Sequence, residues 1–155
     1  MTPPEEPPRF PPQRSNAEAC TVRLELMTAV FPGISIAVPA ALVYRRAEPY
    51  AVYLHTDIDT DETVTWVFAR DLLATGLHTW AGMGDVSVYP GPGDARIVYI
   101  SLACGDETAV LRARSGPVRA FLQQTQCLVP LGLEHEHIDL DTAARRLLDP
   151  PPPRP

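Results

Sequence analysis

Residues 48–90 restrict the fold more than any other stretch, because two runs of period-two hydrophobicity flank an acidic turn and a short helical run leads into a third alternating run. Tyr50, Val52 and Leu54 alternate with Ala51, Tyr53 and His55, and Val64, Trp66 and Phe68 alternate with Thr63, Thr65 and Val67. Successive side chains of a strand point to opposite faces, so these runs predict two half-buried strands. The acidic segment 57–62 joins them as an antiparallel pair. After Phe68 the period changes: RDLLATGLH reads as a short inserted helix, and GDVSVYP returns to a strand.

The flanking segments extend the pattern. Val22, Leu24 and Leu26 alternate with Arg23, Glu25 and Met27, and a Pro32-Gly33 turn leads into a strand over 34–46. Pro39 has no amide hydrogen, which predicts a sheet edge or a bulge at that position. Gly91-Pro92-Gly93-Asp94 makes a turn, the apolar run 97–103 predicts a strand covered on both faces, and a hairpin through Gly105-Asp106 gives a strand over 108–114. The period then becomes helical. Ser115 stands where a cap belongs and Pro117 suits the first turn. Val118, Phe121, Leu122 and Thr125 form the buried stripe, and Pro130 ends the run. Asp139 or Asp141 caps a final helix carrying Leu140, Ala144, Leu147 and Leu148, which Pro150 terminates. The expected fold is α+β: seven antiparallel strands, a short inserted helix and two C-terminal helices.

A chain of 155 residues holds one core, burying roughly 70% of its unfolded surface without disulfides or metals. Eleven of the 18 prolines fall in the first twelve and last six residues, so the expected domain is 19–149, between proline-rich tails at 1–18 and 150–155. Such tails are solubilising extensions, or polyproline ligands for an aromatic groove. Cys20, Cys104 and Cys127 have no C-x-x-C spacing and leave one over in any pairing, which fits a reducing cytoplasm better than a disulfide framework. No run of 18 apolar residues occurs, and the proline-rich, acidic N-terminus does not read as a secretory signal. Residues 15–149 hold ten arginines, no lysine and seventeen acidic residues, a mean field that repels nucleic acid and anionic lipid.

No motif carries chemistry. Asp57, Asp59 and Asp61 begin like a calcium loop, but Glu62 stands where that loop needs Gly and Phe68 where it needs a bidentate Glu. His135 and His137 would point the same way on a strand, yet two imidazoles do not complete a zinc site. Gly82-Met83-Gly84 leads into a strand rather than a helix, the wrong context for a dinucleotide loop. The reading is non-enzymatic, with no catalytic, cofactor-binding or metal residue. Trp66 shares its face with Phe68 and is expected in the core, whereas Trp80 in the polar loop 79–84 is the better contact residue.

WVFARDLLATGLH followed by GDVSVYP resembles the SsgA-like sporulation and cell-division proteins of actinomycetes. EPYAV, VPLGLEH and the entry to the last helix at Asp139-Leu140-Asp141 extend the resemblance over nearly all of residues 20–148. The proline-rich extensions, the GPGD turn, Cys104 and Cys127 depart from it. The resemblance implies a Whirly-like fold of two antiparallel sheets packed face to face, and assembly as a trimer. It further implies a cytoplasmic, septum-associated adapter whose partners are the tubulin-like division protein FtsZ or other SsgA-like proteins. Arg70, His78 and Trp80 are the expected border of the partner surface. The alternative is a Whirly-like single-strand nucleic-acid binder.

Overall fold

A computed structural model describes residues 17–138 and 148. Its seven strands are β1 (Ala19–Phe31), β2 (Ile34–Arg45), β3 (Ala51–Thr56), β4 (Val64–Ala69), β5 (Val86–Gly91), β6 (Asp94–Cys104) and β7 (Glu107–Arg114). Helix α1 (Arg70–Gly76) interrupts them after β4, and α2 (Ser115–Leu128) follows β7. Of the final helix expected to carry Leu140, Ala144, Leu147 and Leu148, only Leu148 is among the described residues.

All seven strands form one antiparallel sheet in the order β4-β3-β2-β1-β7-β6-β5. The expectation of two sheets packed face to face is therefore corrected. Two groups of strands do exist, β1–β4 and β5–β7, but β1 and β7 join them through Met27↔Arg112 and Thr28↔Leu111. Beyond those pairs the two strands part, and Arg23, Met27, Ile97, Arg112, Arg114 and Pro117 line the cleft between them. The sheet is strongly curled, since Trp66 of β4 and Leu102 of β6 line one cleft although four strands separate them in the ladder.

Alternation decides which side of each strand faces the core. Leu26, Leu42, Leu54, Val88, Ile100 and Leu111 are buried on the concave face, where Leu73 of α1 and Val118, Phe121 and Leu122 of α2 cover them. Each such side chain contributes about 1.5–3 kcal/mol on leaving water. The opposite, convex face is only half covered: Tyr99 and Ser101 of β6 keep partial exposure, which corrects the expectation of a strand covered on both faces. Trp66 is half-buried and packs against the core cluster.

Local signals explain the boundaries. The Pro39 carbonyl accepts from Ile58 N–H at 3.4 Å, just past the first β2–β3 pair, Ala40↔Thr56. A residue's N–H and C=O lie on the same side of a strand, so the missing Pro39 donor falls where the ladder has ended and a central strand tolerates it. Ser115 does not cap α2. The N-cap is Arg114, and the Ser115 hydroxyl donates to Ala95 O at 2.8 Å, tying the helix start to β6. The acidic turn between β3 and β4 is closed by Thr60, whose N–H and hydroxyl donate to Asp57 O at 3.0 and 2.8 Å.

Gly76 sets how closely α1 approaches the sheet. A Cβ at this position would overlap Val88 Cγ1 and Cβ and stand 2.9 Å from Val88 O, and the backbone of β5 cannot move aside as a flexible side chain can. Gly76→Ala is expected to destabilise the fold by about 1–3 kcal/mol, the cost of an overpacked core, measured as a lower midpoint in urea unfolding at unchanged slope.

Candidate functional site

Of the three expected partner residues, Arg70 lies in the interior. It is 1% exposed, so its assignment to the partner border is corrected: a guanidinium at that depth reaches no other protein. It opens α1, where its N–H donates to Tyr50 O at 2.8 Å. Its Nη1 donates to Val129 O at 2.7 Å and Thr125 O at 3.3 Å, and its Nη2 to Glu134 Oε1 at 2.7 Å. The Arg70 Cζ sits 4.9 Å from the centre of the Tyr44 ring, whose hydroxyl donates to Pro49 O at 2.8 Å. Arg70 Nε has no partner, and nothing in the structure explains this.

These bonds answer a need of α2. The last carbonyls of a helix lack intrahelical donors and carry the negative end of its dipole, and the last turn of α2 has no basic residue of its own. Arg70 supplies Val129 O at the C-cap and adds a second donor to Thr125 O, which the Val129 N–H reaches at 2.8 Å, and Arg46 Nε donates to Leu128 O at 3.3 Å. Glu134 balances the charge. Burial pushes its carboxyl up, but the Arg70 hydrogen bond, backbone N–H donors and the Arg70 charge outweigh this and hold it below its ordinary 4.5. Burial likewise pushes the Tyr44 hydroxyl up to about 12.

His78 and Trp80 are exposed, and the chain separates them around the edge of the sheet. His78 lies on the helical side, in an open groove between the end of α1 and α2 that Thr75, Leu77, Arg119, Gln123, Gln126 and Leu131 also line. Trp80, 61% exposed, stands beside β5, where Ala81 bridges to Val88. Its indole N–H donates to Gly82 O at 3.2 Å, and its ring stacks on Tyr89 with centroids 4.4 Å apart and planes at 8°. Tyr89 stacks in turn on Tyr99, centroids 5.5 Å apart at 21°. Sequence reasoning missed this ladder, although the signal was present: Val86 and Val88 point inward, so Tyr89 points outward and meets its register partner Tyr99.

The remaining candidates fall apart or serve the backbone. Glu134–His137 is a 3-10 turn, in which residues two apart point to different sides, so His135 and His137 diverge, and Glu134 is engaged by Arg70. Among the described residues no three His, Cys, Asp or Glu side chains converge as a metal site. Gly82 takes a positive φ of 103° in the loop that carries Trp80. Cys20, Cys104 and Cys127 are free thiols. No helix among the described residues is long and apolar enough to cross a membrane.

The profile of the family described as Streptomyces sporulation and cell division protein, SsgA, matches residues 38–134. The sporulation-specific cell division protein SsgB of Streptomyces coelicolor is 42% identical over 131 residues, covering 84% of this chain and 94% of its own. A protein of the same name from Kineococcus radiotolerans is 42% identical over 141 residues, covering 88% and 83%. A structure solved in work on SsgB mutations that correlate to longitudinal cell division during sporulation of Streptomyces coelicolor is 41% identical. It covers 79% of this chain and 99% of its own, with a TM-score of 0.70. The crystal structure of an SsgA-like sporulation-specific cell division protein from Thermobifida fusca YX-ER1 is 32% identical and gives 0.74 over 86% of this chain.

Removing Arg70 strands the Val129 carbonyl and Glu134 together, while Thr125 O keeps the Val129 N–H. Arg70→Ala is expected to cost about 3–5 kcal/mol in chemical denaturation, and Arg70→Lys to recover only part of it, because one ammonium cannot reproduce the fork. The folded-state pKa of Glu134 lies below its unfolded value, so the pair stabilises above about pH 4.5 and its contribution is lost as pH falls through the folded pKa. Wild-type stability should therefore drop more steeply than that of Glu134→Gln below pH 4.5, measured by melting temperature against pH.

Proposed function

Because the chain belongs to the SsgA sporulation and cell division family, we propose that it is a sporulation-specific septation adapter that acts by binding other proteins and performs no chemistry of its own. The observation that carries this reading is the likeness to sporulation-specific cell division proteins at 42% identity across 94% of the Streptomyces coelicolor protein's length. The partner in this reading is the division protein FtsZ or another SsgA-like protein, met in the cytoplasm at the septum. The groove around His78, between α1 and α2, is the docking surface, and Trp80 stands at the adjoining edge. Tryptophan is among the residues that dominate interface energetics when a partner covers it.

A homo-oligomer, a trimer, belongs to the same proposal. Val30, Phe31, Ile34 and Ile36 are 47–64% exposed at the end of the β1–β2 hairpin, beyond the last pairings with β7 and β3. An apolar hairpin tip of this kind is an economical contact between copies, and several copies raise the avidity for a polymer without any new chemistry. The single-strand nucleic-acid reading draws no support from the relatives, which are named as cell division proteins, and a net charge of −6 opposes it.

The purified protein should co-sediment with polymerised FtsZ of the source organism, while light scattering gives a mass above that of one chain. A His78→Ala/Trp80→Ala variant that keeps its melting temperature should bind the polymer about thirtyfold more weakly, the equivalent of roughly 2 kcal/mol. Phe31→Ser/Ile34→Ser should lower the oligomeric mass. Unchanged pelleting by the first variant removes the His78 groove from the reading, and no pelleting of the wild type removes FtsZ.

A further inference from the structure

The aromatic ladder stands on the convex face, where no described helix covers it. Trp80, Tyr89 and Tyr99 stack in one row, and the register continues that row through Tyr99↔Arg112 to Met27↔Arg112. Parallel rings open to solvent offer flat apolar faces, and Arg112 stands at the end of the row as an exposed cation. Arg23 and Arg114 line the same cleft at the β1–β7 seam, together with one carboxylate, Glu25. Among the described residues Arg23, Arg112 and Arg114 form no ion pair. In a chain of net charge −6 this is a local basic and aromatic strip.

The chain itself carries a segment of matching chemistry. Residues 3–12 read PPEEPPRFPP, with proline pairs at 3–4, 7–8 and 11–12 and the acidic pair Glu5-Glu6 between the first two. Proline-rich segments dock on aromatic rows because their rings pack on flat faces and little conformational entropy is lost in ordering them. An acidic pair between proline pairs fits a row of aromatic rings that ends in unpaired arginines. We propose that the N-terminal segment 3–12 of each chain binds the convex face of its own sheet, with proline rings on the Trp80–Tyr89–Tyr99 ladder and Glu5-Glu6 against Arg112.

The reach is sufficient. β1 begins at Ala19, and Met27, the last member of the row, lies eight residues along it, about 26 Å at ~3.3 Å per residue. Two further strands bring the distance to Tyr99 to roughly 28 Å. The chain from Pro8 to Ala19 spans about 34 Å at ~3.1 Å per residue, so the proline pairs at 3–4 and 7–8 and the glutamates between them arrive over the row. Tethering holds the segment at a high effective concentration there, which favours its own sheet over that of a neighbour. The inference does not depend on the septation reading; in both, Trp80 is the shared contact, so a partner reaching that ring has to displace the segment.

The test uses the full chain with 13C-labelled proline and no partner protein. Protons of Pro3, Pro4, Pro7 and Pro8 should be displaced upfield by the aromatic rings and show NOEs to the ladder, the Trp80 indole included. Trp80→Ala should abolish both effects. A full-length variant with all six prolines of segment 3–12 replaced by serine, whose changes lie outside the described fold, should shift the Trp80 indole N–H resonance. Glu5→Gln/Glu6→Gln should weaken the NOEs, and rising salt should do the same. Proline resonances at random-coil positions, with a Trp80 indole indifferent to the proline substitutions, overturn the proposal. Signals that vanish on dilution overturn it by placing the segment on another copy. A Trp80 indole that shifts on adding oligo(dT) while the prolines stay at random-coil positions overturns it by making the ladder a nucleic-acid platform.

Discussion

The buried guanidinium of Arg70 is the interaction on which the rest of the structure depends. A charge 1% exposed is costly unless it is paired and hydrogen-bonded, and here the compensation, at all but Nε, comes from four residues. Tyr44 offers its ring, Thr125 and Val129 their carbonyls, and Glu134 its carboxylate. Two of those groups have a need of their own that Arg70 meets: the Val129 carbonyl at the end of α2 takes its donor from Arg70, and Glu134 is largely removed from water. The arrangement therefore satisfies a helix C-terminus and a carboxylate with one side chain. It also fixes α1, because the same residue opens that helix and its N–H is held by Tyr50 O.

The curled sheet divides the molecule into two surfaces with different obligations. Its concave face is filled by α1 and α2, and alternation sends one side chain in two into that core. The convex face receives the other half, and no described element covers it. Tyr89 and Tyr99 stand there because Val88, Val98 and Ile100 occupy the inner positions. The seam between β1 and β7 is the weak point of the ladder, with pairing at Met27 and Thr28 and an open cleft beyond. Among the described residues the open features are the helix groove, the convex face, the seam and the hairpin tip, and the buried guanidinium of Arg70 is occupied in holding elements together.

The strands were legible in the sequence because period two is a local property. Residues 50–56, 64–69 and 86–91 each announce which face is inward, and Gly93 and Gly105 take the positive φ that their turns need. The count of sheets was not legible. Whether β7 pairs with β1 is decided at Met27↔Arg112 and Thr28↔Leu111, partners more than 80 positions apart that carry no local signature of pairing. Ser115 misled for a related reason: its hydroxyl had two possible uses, and the proximity of Ala95 selected the non-local one. Arg70 looked like a surface residue beside Asp71, since its acceptors lie 55 to 64 positions away. Trp80 was recognisable as exposed from its polar loop, whereas its stacking on Tyr89 depended on the β5 edge lying beside it.

The segments that mark the family also make structural sense together. EPYAV contributes Pro49 O to Tyr44 and Tyr50 O to the Arg70 backbone, FARDL contributes Arg70, and VPLGLEH contributes Val129 O and Glu134. Three stretches separated in the chain thus converge on one side chain. None of these contacts faces outward, yet they bear on the surface: the groove around His78 has α1 as one wall and α2 as the other, and Arg70 opens α1 and is bonded to the end of α2. The spacing of the groove is consequently set from beneath by the same cation that terminates α2. A partner docking there would meet a surface whose shape is fixed before it arrives, so little binding energy would be lost to ordering the helices. In the proposed docking Arg70 is a positioning residue for the groove, and direct contact falls to residues such as His78, Arg119 and Leu131 that line it.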